Sequence, residues 1–284
     1  MNPVETAGCF TGRNDGLIIM RFFKTPAIVL RHYNSGEADK LLVLYSIKYG
    51  KIKAIAKGAR KTRSKYGSSV EPFSHNELML YKKEGKELYT ITGCNTVQSH
   101  SNLREDINFF VTASYIAELV DKMTEENDAH PEIFLMLDEV LSAITEACRE
   151  KAMLVFTVKL LLLSGYKLCL DRCACCGMIA KRVLERVKFS PVQGGIICPK
   201  CQLRDLDAKN ILWQYVDYIN KFENMAVSKI DSIELSLLHK KELSDIIHSY
   251  LFCHISGELK TNKFIRQWQK NKAVVPSSSI SVYT

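Results

Sequence analysis

Two C-x-x-C pairs, Cys173/Cys176 in CACCG and Cys198/Cys201 in CPKC, are separated by 21 residues and restrict the middle of the chain more than any other feature. Each pair offers two thiolates from one tight knuckle, and the intervening residues suffice to bring the second pair back to the first. This spacing predicts a tetrahedral four-thiolate zinc site. Gly177 follows the first pair where a knuckle turn needs it, and Gly194-Gly195 would return a short strand to the second pair. Four protein thiolates leave no open coordination position, so the expected cofactor is one structural zinc ion per chain. Cys175 is a competing donor, and Cys173 and Cys176 are preferred because they alone have the two-residue gap. A disulfide pair or spare buried thiols are the alternatives, but disulfides are rare in cytosolic proteins.

The hydrophobic period divides the rest. Before residue 100, AIVLRHY (27–33), KLLVLYSI (40–47), KIKAIAK (51–57), ELMLYK (77–82) and ELYTIT (87–92) alternate like strands, and KEGK joins the last two as a hairpin through Gly85. Five short strands with one long excursion, residues 58–75, suit a five-stranded OB-fold barrel. In KIKAIAK, Ile52, Ala54 and Ala56 form an inward face, and Lys51, Lys53, Ile55 and Lys57 an outward one. After residue 100 the period becomes helical, opening with Asn102 and Glu105 as a capping box. A second helix starts at Pro131 and runs to about Cys148, a buried third spans Ala152–Ser164, and weaker helical patterns cover 207–224 and 233–255. The expected organisation is a disordered extension (1–20), an OB domain (21–100), a helical domain (101–270) with a zinc module at 169–204, and a flexible tail (271–284). Residues 1–19 lack periodicity, which makes Met20 a candidate start and the extension dispensable. They also lack the basic opening of a secretory signal. No apolar run is long enough to span a membrane, so a cytoplasmic location is expected.

Charge is segregated. The segment Lys48–Lys65 carries eight positive residues and no acid, which equals the net charge of +8 of all 284 residues. A second excess at Arg172, Lys181, Arg182, Arg186, Lys188, Lys200 and Arg204 is net +6 after Glu185, so the remainder sums to −6. Two basic patches on an otherwise acidic chain point to a polyanion, although a four-thiolate zinc site is formally −2 and can itself absorb part of the second. No phosphate-binding loop, dinucleotide fingerprint or nucleophile elbow occurs. His32, His75, His100, His130, His239, His248 and His254 lack metal or triad spacing, so the chain is read as a binding protein and not an enzyme.

The arrangement resembles the RecO family of bacterial recombination mediators over residues 21–268. The resemblance is carried by TPAIVLRHYNSGEADKLLVLYSIKYGKIKAIAKGARK, PFSHNELMLY, LCLDRCACCG, FSPVQGGIICPKC and the closing GELKTNKF, where Thr261 and Asn262 stand in place of the family's usual Ser and Arg. The G-E-x-D run (Gly36, Glu37, Asp39), the K-G-A-R run (57–60) and the paired C-x-x-C units occur together in the family's order. The resemblance implies an OB domain and a helical domain with a zinc module. It implies binding of single- and double-stranded DNA, annealing of complementary strands, and cooperation with RecR to load RecA on strands coated by single-strand-binding protein. The helical domain would then hold the acidic tail of that coating protein, and the location would be the nucleoid.

An OB groove tracks the phosphate backbone with cations and stacks bases on aromatic rings. The candidate DNA contacts are therefore Lys51, Lys53 and Lys57 on the strand and Arg60, Lys61, Arg63 and Lys65 on the loop after it. Tyr49 and Tyr66 flank the run as candidate stacking rings, with a structural role the alternative. Rival readings are a zinc-containing regulator of one duplex site, and a scaffold whose basic loop holds an acidic protein.

Overall fold

Alternation of inward apolar and outward polar residues makes the first third of the chain a sheet. The computed structural model describes residues 20–182, 184–255 and 257–274. In it β1 (Met20–Ser35), β2 (Asp39–Ser46), β3 (Gly50–Ala56), β4 (His75–Lys83) and β5 (Tyr89–Gln98) close into a barrel in the order β1-β2-β3-β5-β4. β1 serves two neighbours, pairing with β4 from Met20 to Ile28 and with β2 from Ala27 onward. A bulge between Val29 and Arg31 bends it from one partner to the other. β3 and β5 meet in parallel at Ala54 and Tyr89, so the barrel has no open edge. This is the expected OB-fold. β1 starts earlier than the alternation suggested because the inward position 25 is a threonine, whose hydroxyl lies 2.9 Å from that of Ser46.

The helical body differs from expectation at its boundaries. The Asn102/Glu105 capping box does not form: α1 (Asn102–Glu105) is a single turn, and α2 (Ile107–Met123) is capped instead by the Asp106 carboxylate, which accepts from the amides of Asn108 (2.7 Å) and Phe109 (3.3 Å). α3 (Pro131–Ala143) stops short of Cys148, where the Cys148 amide turns back to the Thr145 carbonyl and starts α4 (Arg149–Leu163). α4 is buried on most sides, with Val155, Phe156 and Leu160 inaccessible. Its Lys159 reaches out to donate to the Glu223 carbonyl (3.1 Å). The three-stranded sheet of β6 (Arg186–Ser190), β7 (Gly195–Ile197) and β8 (Lys209–Leu212) follows, in the order β7-β6-β8. β8 occupies the start of the expected helix at 207–224, so α5 is confined to Trp213–Asn224. α6 (Leu237–His254) and α7 (Lys260–Val274) complete the body, and α7 extends into the span expected as a flexible tail. The Glu118 carboxylate of α2 accepts from the amides of Lys260 (2.8 Å) and Thr261 (2.9 Å) and from the Thr261 hydroxyl (2.7 Å), so an acid distant in sequence satisfies the first amides of α7. The expected extension at 1–19 and the segment 275–284 lie outside the described residues.

Barrel and helices share one core. Ile28, Val43, Tyr45 and Phe73 point out of the barrel and are buried in the same cluster as the helical residues. Polar ties frame this apolar seam: Arg31 pairs with Asp121 (2.8 Å), and Asp138 of α3 receives His75 (2.9 Å) with His100 beyond it (3.9 Å). Burial alone would raise the Asp138 carboxyl, but the His100 and His75 rings outweigh it and hold it well below the usual carboxylate range. A depressed carboxylate stabilises the fold above its unfolded pKa of about 3.9, and this contribution is lost as pH falls below that value. Asp138→Asn should therefore cost about 1–2 kcal/mol at neutral pH, and denaturant titrations should show the deficit shrinking toward acid. An equal deficit at all pH values would exclude a charge-based tie. Among the described residues, no helix is long and apolar enough to cross a membrane.

Candidate nucleic-acid interface and metal centre

The basic excursion between β3 and β4 is fixed at both ends. Asp39 accepts the Gly58 amide (2.8 Å), the Arg60 amide donates to the Ala38 carbonyl (2.9 Å), and the Arg60 guanidinium donates to the carbonyls of Gly36 (3.2 Å) and Glu37 (3.1 Å). The G-E-x-D turn and the K-G-A-R run, distant in sequence, are thus one interlocked structure. At the far end Lys65 donates to the Thr92 carbonyl (2.9 Å) and Tyr66 to that of Ile91 (2.9 Å).

The seven candidate cations separate into three sets. Lys51 donates to the Asp121 carbonyl and lies 3.7 Å from its carboxylate, while Lys53 pairs with Glu126. Both turn toward the helical body. Arg60 and Lys65 brace the excursion as described. Lys57, Lys61 and Arg63 are exposed and form no ion pair with any described residue. Tyr66 is 3% exposed and bonded through its hydroxyl, so it is structural and not a stacking ring. Tyr49 packs edge-on against Phe23 (5.4 Å).

The four predicted cysteines converge. The sulfurs of Cys173, Cys176, Cys198 and Cys201 all lie within 4.8 Å of one another, with Cys176 and Cys198 at 3.8 Å. Tetrahedral zinc with Zn–S bonds of about 2.3 Å requires S···S separations of about 3.8 Å, so the donors fit. Each knuckle is held by its own turn: the Gly177 amide donates to the Cys173 carbonyl (2.9 Å) and the Cys201 amide to that of Cys198 (2.9 Å). Gly177 has φ +73°, the left-handed conformation its turn requires. Burial disfavours the Cys173 thiolate, yet the amides of Cys198, Cys176 and Cys175 outweigh this and lower its pKa to about 6. Cys201 is pushed up to about 12 by burial and by its sulfur neighbours. Four thiols so close cannot all ionise without a cation between them. Cys175 stands outside the quartet, its sulfur 3.5 Å from the Gln193 amide oxygen.

The second basic patch is partly neutralised. Arg172 pairs with Asp171 (2.8 Å), and Arg182 pairs with Asp217 (2.7 Å) and lies over the Trp213 ring. Lys181, Arg186, Lys188, Lys200 and Arg204 form no ion pair with any described residue.

The class these features define is an OB-barrel protein fused to a helical body, with a braced cationic excursion on the barrel and four clustered cysteines that could hold a metal ion. The Recombination protein O N-terminal family model matches residues 20–100, and the C-terminal model matches residues 104–263. The DNA repair protein RecO of Thermoanaerobacter sp. (strain X514) is 34% identical over 253 residues, covering 88% of this chain and 99% of that one. The DNA repair protein RecO of Desulforamulus reducens is 30% identical over 252 residues, 89% of this chain and 97% of that one. The chain belongs to the RecO family of DNA repair proteins.

Proposed function

We propose that this protein binds single- and double-stranded DNA without reading sequence, anneals complementary strands, and acts with RecR to load RecA on strands coated by single-strand-binding protein. It works on the nucleoid, through binding energy alone, and its thiolate centre holds one structural zinc ion. The observation that carries the reading is the exposed trio Lys57, Lys61 and Arg63 on an excursion anchored at both ends. Anchored cations meet phosphates without first being ordered, and they carry no base-reading geometry. The five unpaired cations beside the cysteine cluster support a second strand contact, which would reduce the mutual repulsion of two phosphate chains.

A cleft of about 1230 Å³ between α2, α4, α6 and α7 supports the interaction with the coating protein. Apolar Leu237, Phe252 and Leu259 line it together with the acids Glu150, Asp245 and Glu258 and a larger number of cations; Lys240 pairs with Glu150 (2.8 Å), which leaves Lys209 and Lys241 for an acidic tail with apolar anchors.

A fluorescence annealing assay without nucleotide, run on naked and on coated strands, tests the proposal. Wild-type protein should accelerate both, with log K for a single strand falling against log salt at a slope of roughly −3 to −4 for four to six phosphates. Combined Lys57→Gln, Lys61→Gln and Arg63→Gln should flatten that slope by about 2 for every sequence. Combined Lys209→Glu and Lys241→Glu should slow annealing of coated strands only. Preference for one duplex sequence, with no annealing, would replace the proposal with a transcription-regulator reading.

A further inference from the structure

We propose that the open outer face of β1 and β4 is a base-stacking platform for single-stranded DNA, with Phe22 and Tyr81 as its rings and Lys48 and Lys65 as its phosphate contacts. This rests on the DNA-binding reading above and places the bases on a part of the barrel to which no candidate residue was assigned.

The first argument is what the helical body covers. OB-folds commonly take oligonucleotides across the face of their second and third strands. Here Val43 and Tyr45 of β2 are buried in the shared core, and Lys51 and Lys53 of β3 are engaged by Asp121 and Glu126. That face is closed, and the opposite half of the barrel is open.

The second argument is what the open half displays. Phe22 and Tyr81 are direct cross-strand partners, with ring centroids 6.2 Å apart and planes inclined by 42°. Phe22 is 38% exposed, and Met79, the preceding outward residue of β4 and the partner of Lys24, is 51% exposed. The solvent side of an antiparallel sheet is ordinarily polar, so neighbouring large apolar side chains there mark an interaction surface. The ring spacing exceeds the 3.4 Å rise of a stacked strand, so the platform suits an unstacked strand with one base on each ring.

Charge complementarity selects the occupant. Lys24 is neutralised by Glu77 (2.8 Å), but Lys48, which forms no ion pair with any described residue, donates to the Lys24 carbonyl (3.2 Å) and so lies at the edge of the face. Lys65 donates to the Thr92 carbonyl (2.9 Å), while the Thr92 hydroxyl donates to the Met79 carbonyl (3.0 Å). Cations from the β2–β3 turn and from the end of the basic excursion therefore border one apolar face. Platform and excursion form a continuous track, in which stacking on rings beside a cationic backbone path needs no sequence preference.

The test uses full-length protein and a labelled oligodeoxythymidylate, titrated at several salt concentrations. Combined Phe22→Leu and Tyr81→Leu keeps apolar bulk but removes the π-faces. It should weaken binding by about tenfold or more with an unchanged salt slope, because stacking releases no counterions. Combined Phe22→Trp and Tyr81→Trp should retain affinity, and its added tryptophan emission should be quenched by the oligonucleotide. Wild-type affinity in the leucine variant, with unquenched emission in the tryptophan variant, overturns the platform while leaving DNA binding to the excursion. Retained DNA affinity with lost self-association in the leucine variant assigns the face to a second copy and also overturns it. Wild-type protein that binds no oligonucleotide at any salt concentration removes both the platform and the DNA-binding reading.

Discussion

Protein carrying Cys198→Ser is expected to purify without its metal and to lose the order of residues 169–204, while Cys175→Ser keeps both. A serine hydroxyl is a poor substitute for a thiolate ligand, and three thiols left within 4.8 Å without a shared cation resist ionisation. Structural zinc binding in small modules is worth about 10–16 kcal/mol. Much of that is not felt globally here, because Phe189, Ile196 and Ile211 of the small sheet are also buried in the main core. A global loss of about 3 kcal/mol or more is expected, with proteolytic cleavage concentrated between residues 169 and 204. Elemental analysis, thermal unfolding and limited proteolysis of the two variants check it. Full metal content in Cys198→Ser, or metal loss in Cys175→Ser, would refute the assignment of ligands.

Gly50→Ala should be among the most damaging single-methyl changes in the molecule. Gly50 starts β3 with φ +62°, and a Cβ there would lie 1.8 Å from the Asp128 carbonyl oxygen and 2.4 Å from its carbon. The obstacle is backbone, which cannot rotate away as a side chain could. The left-handed conformation alone costs an alanine about 1–2 kcal/mol, and moving the 124–130 loop off the barrel adds more, for a total above about 3 kcal/mol. Gly36→Ala is the internal control. It has φ +58° but nothing within 4 Å of the added methyl, so only the conformational cost should appear. Chemical denaturation of both variants separates strain from collision, and equal losses would contradict the close approach at Gly50.

Features set by local periodicity or spacing were readable in the chain. KIKAIAK alternates as its burial does, the paired C-x-x-C units meet as their spacing requires, and the apolar run in α4 is buried. What escaped depends on partners remote in sequence. Nothing in residues 48–65 reveals that Lys51 and Lys53 meet acids some seventy residues later, or that the Tyr66 hydroxyl finds a carbonyl on β5. Phe22 and Tyr81 look like ordinary strand residues until pairing places them side by side on a solvent face. β8 is only Lys209–Leu212, too short for either period to register before α5 begins. Asp106 was legible in principle, since an acid two residues before the first paired amide is a standard capping signal.

The clasp between Glu118 and the start of α7 sets a timetable for synthesis. α2 lies near the middle of the chain, yet its carboxylate finds its partners only with Lys260 and Thr261, 142 and 143 residues later. The barrel, whose strand pairings all fall within residues 20–98, can close while the ribosome is still translating the helices. The helical body cannot. Nascent chains halted before residue 259 should therefore carry a closed barrel beside an unsealed bundle, and chaperones would be required to shelter that bundle together with Ile28, Val43, Tyr45 and Phe73, the outer barrel residues it will cover.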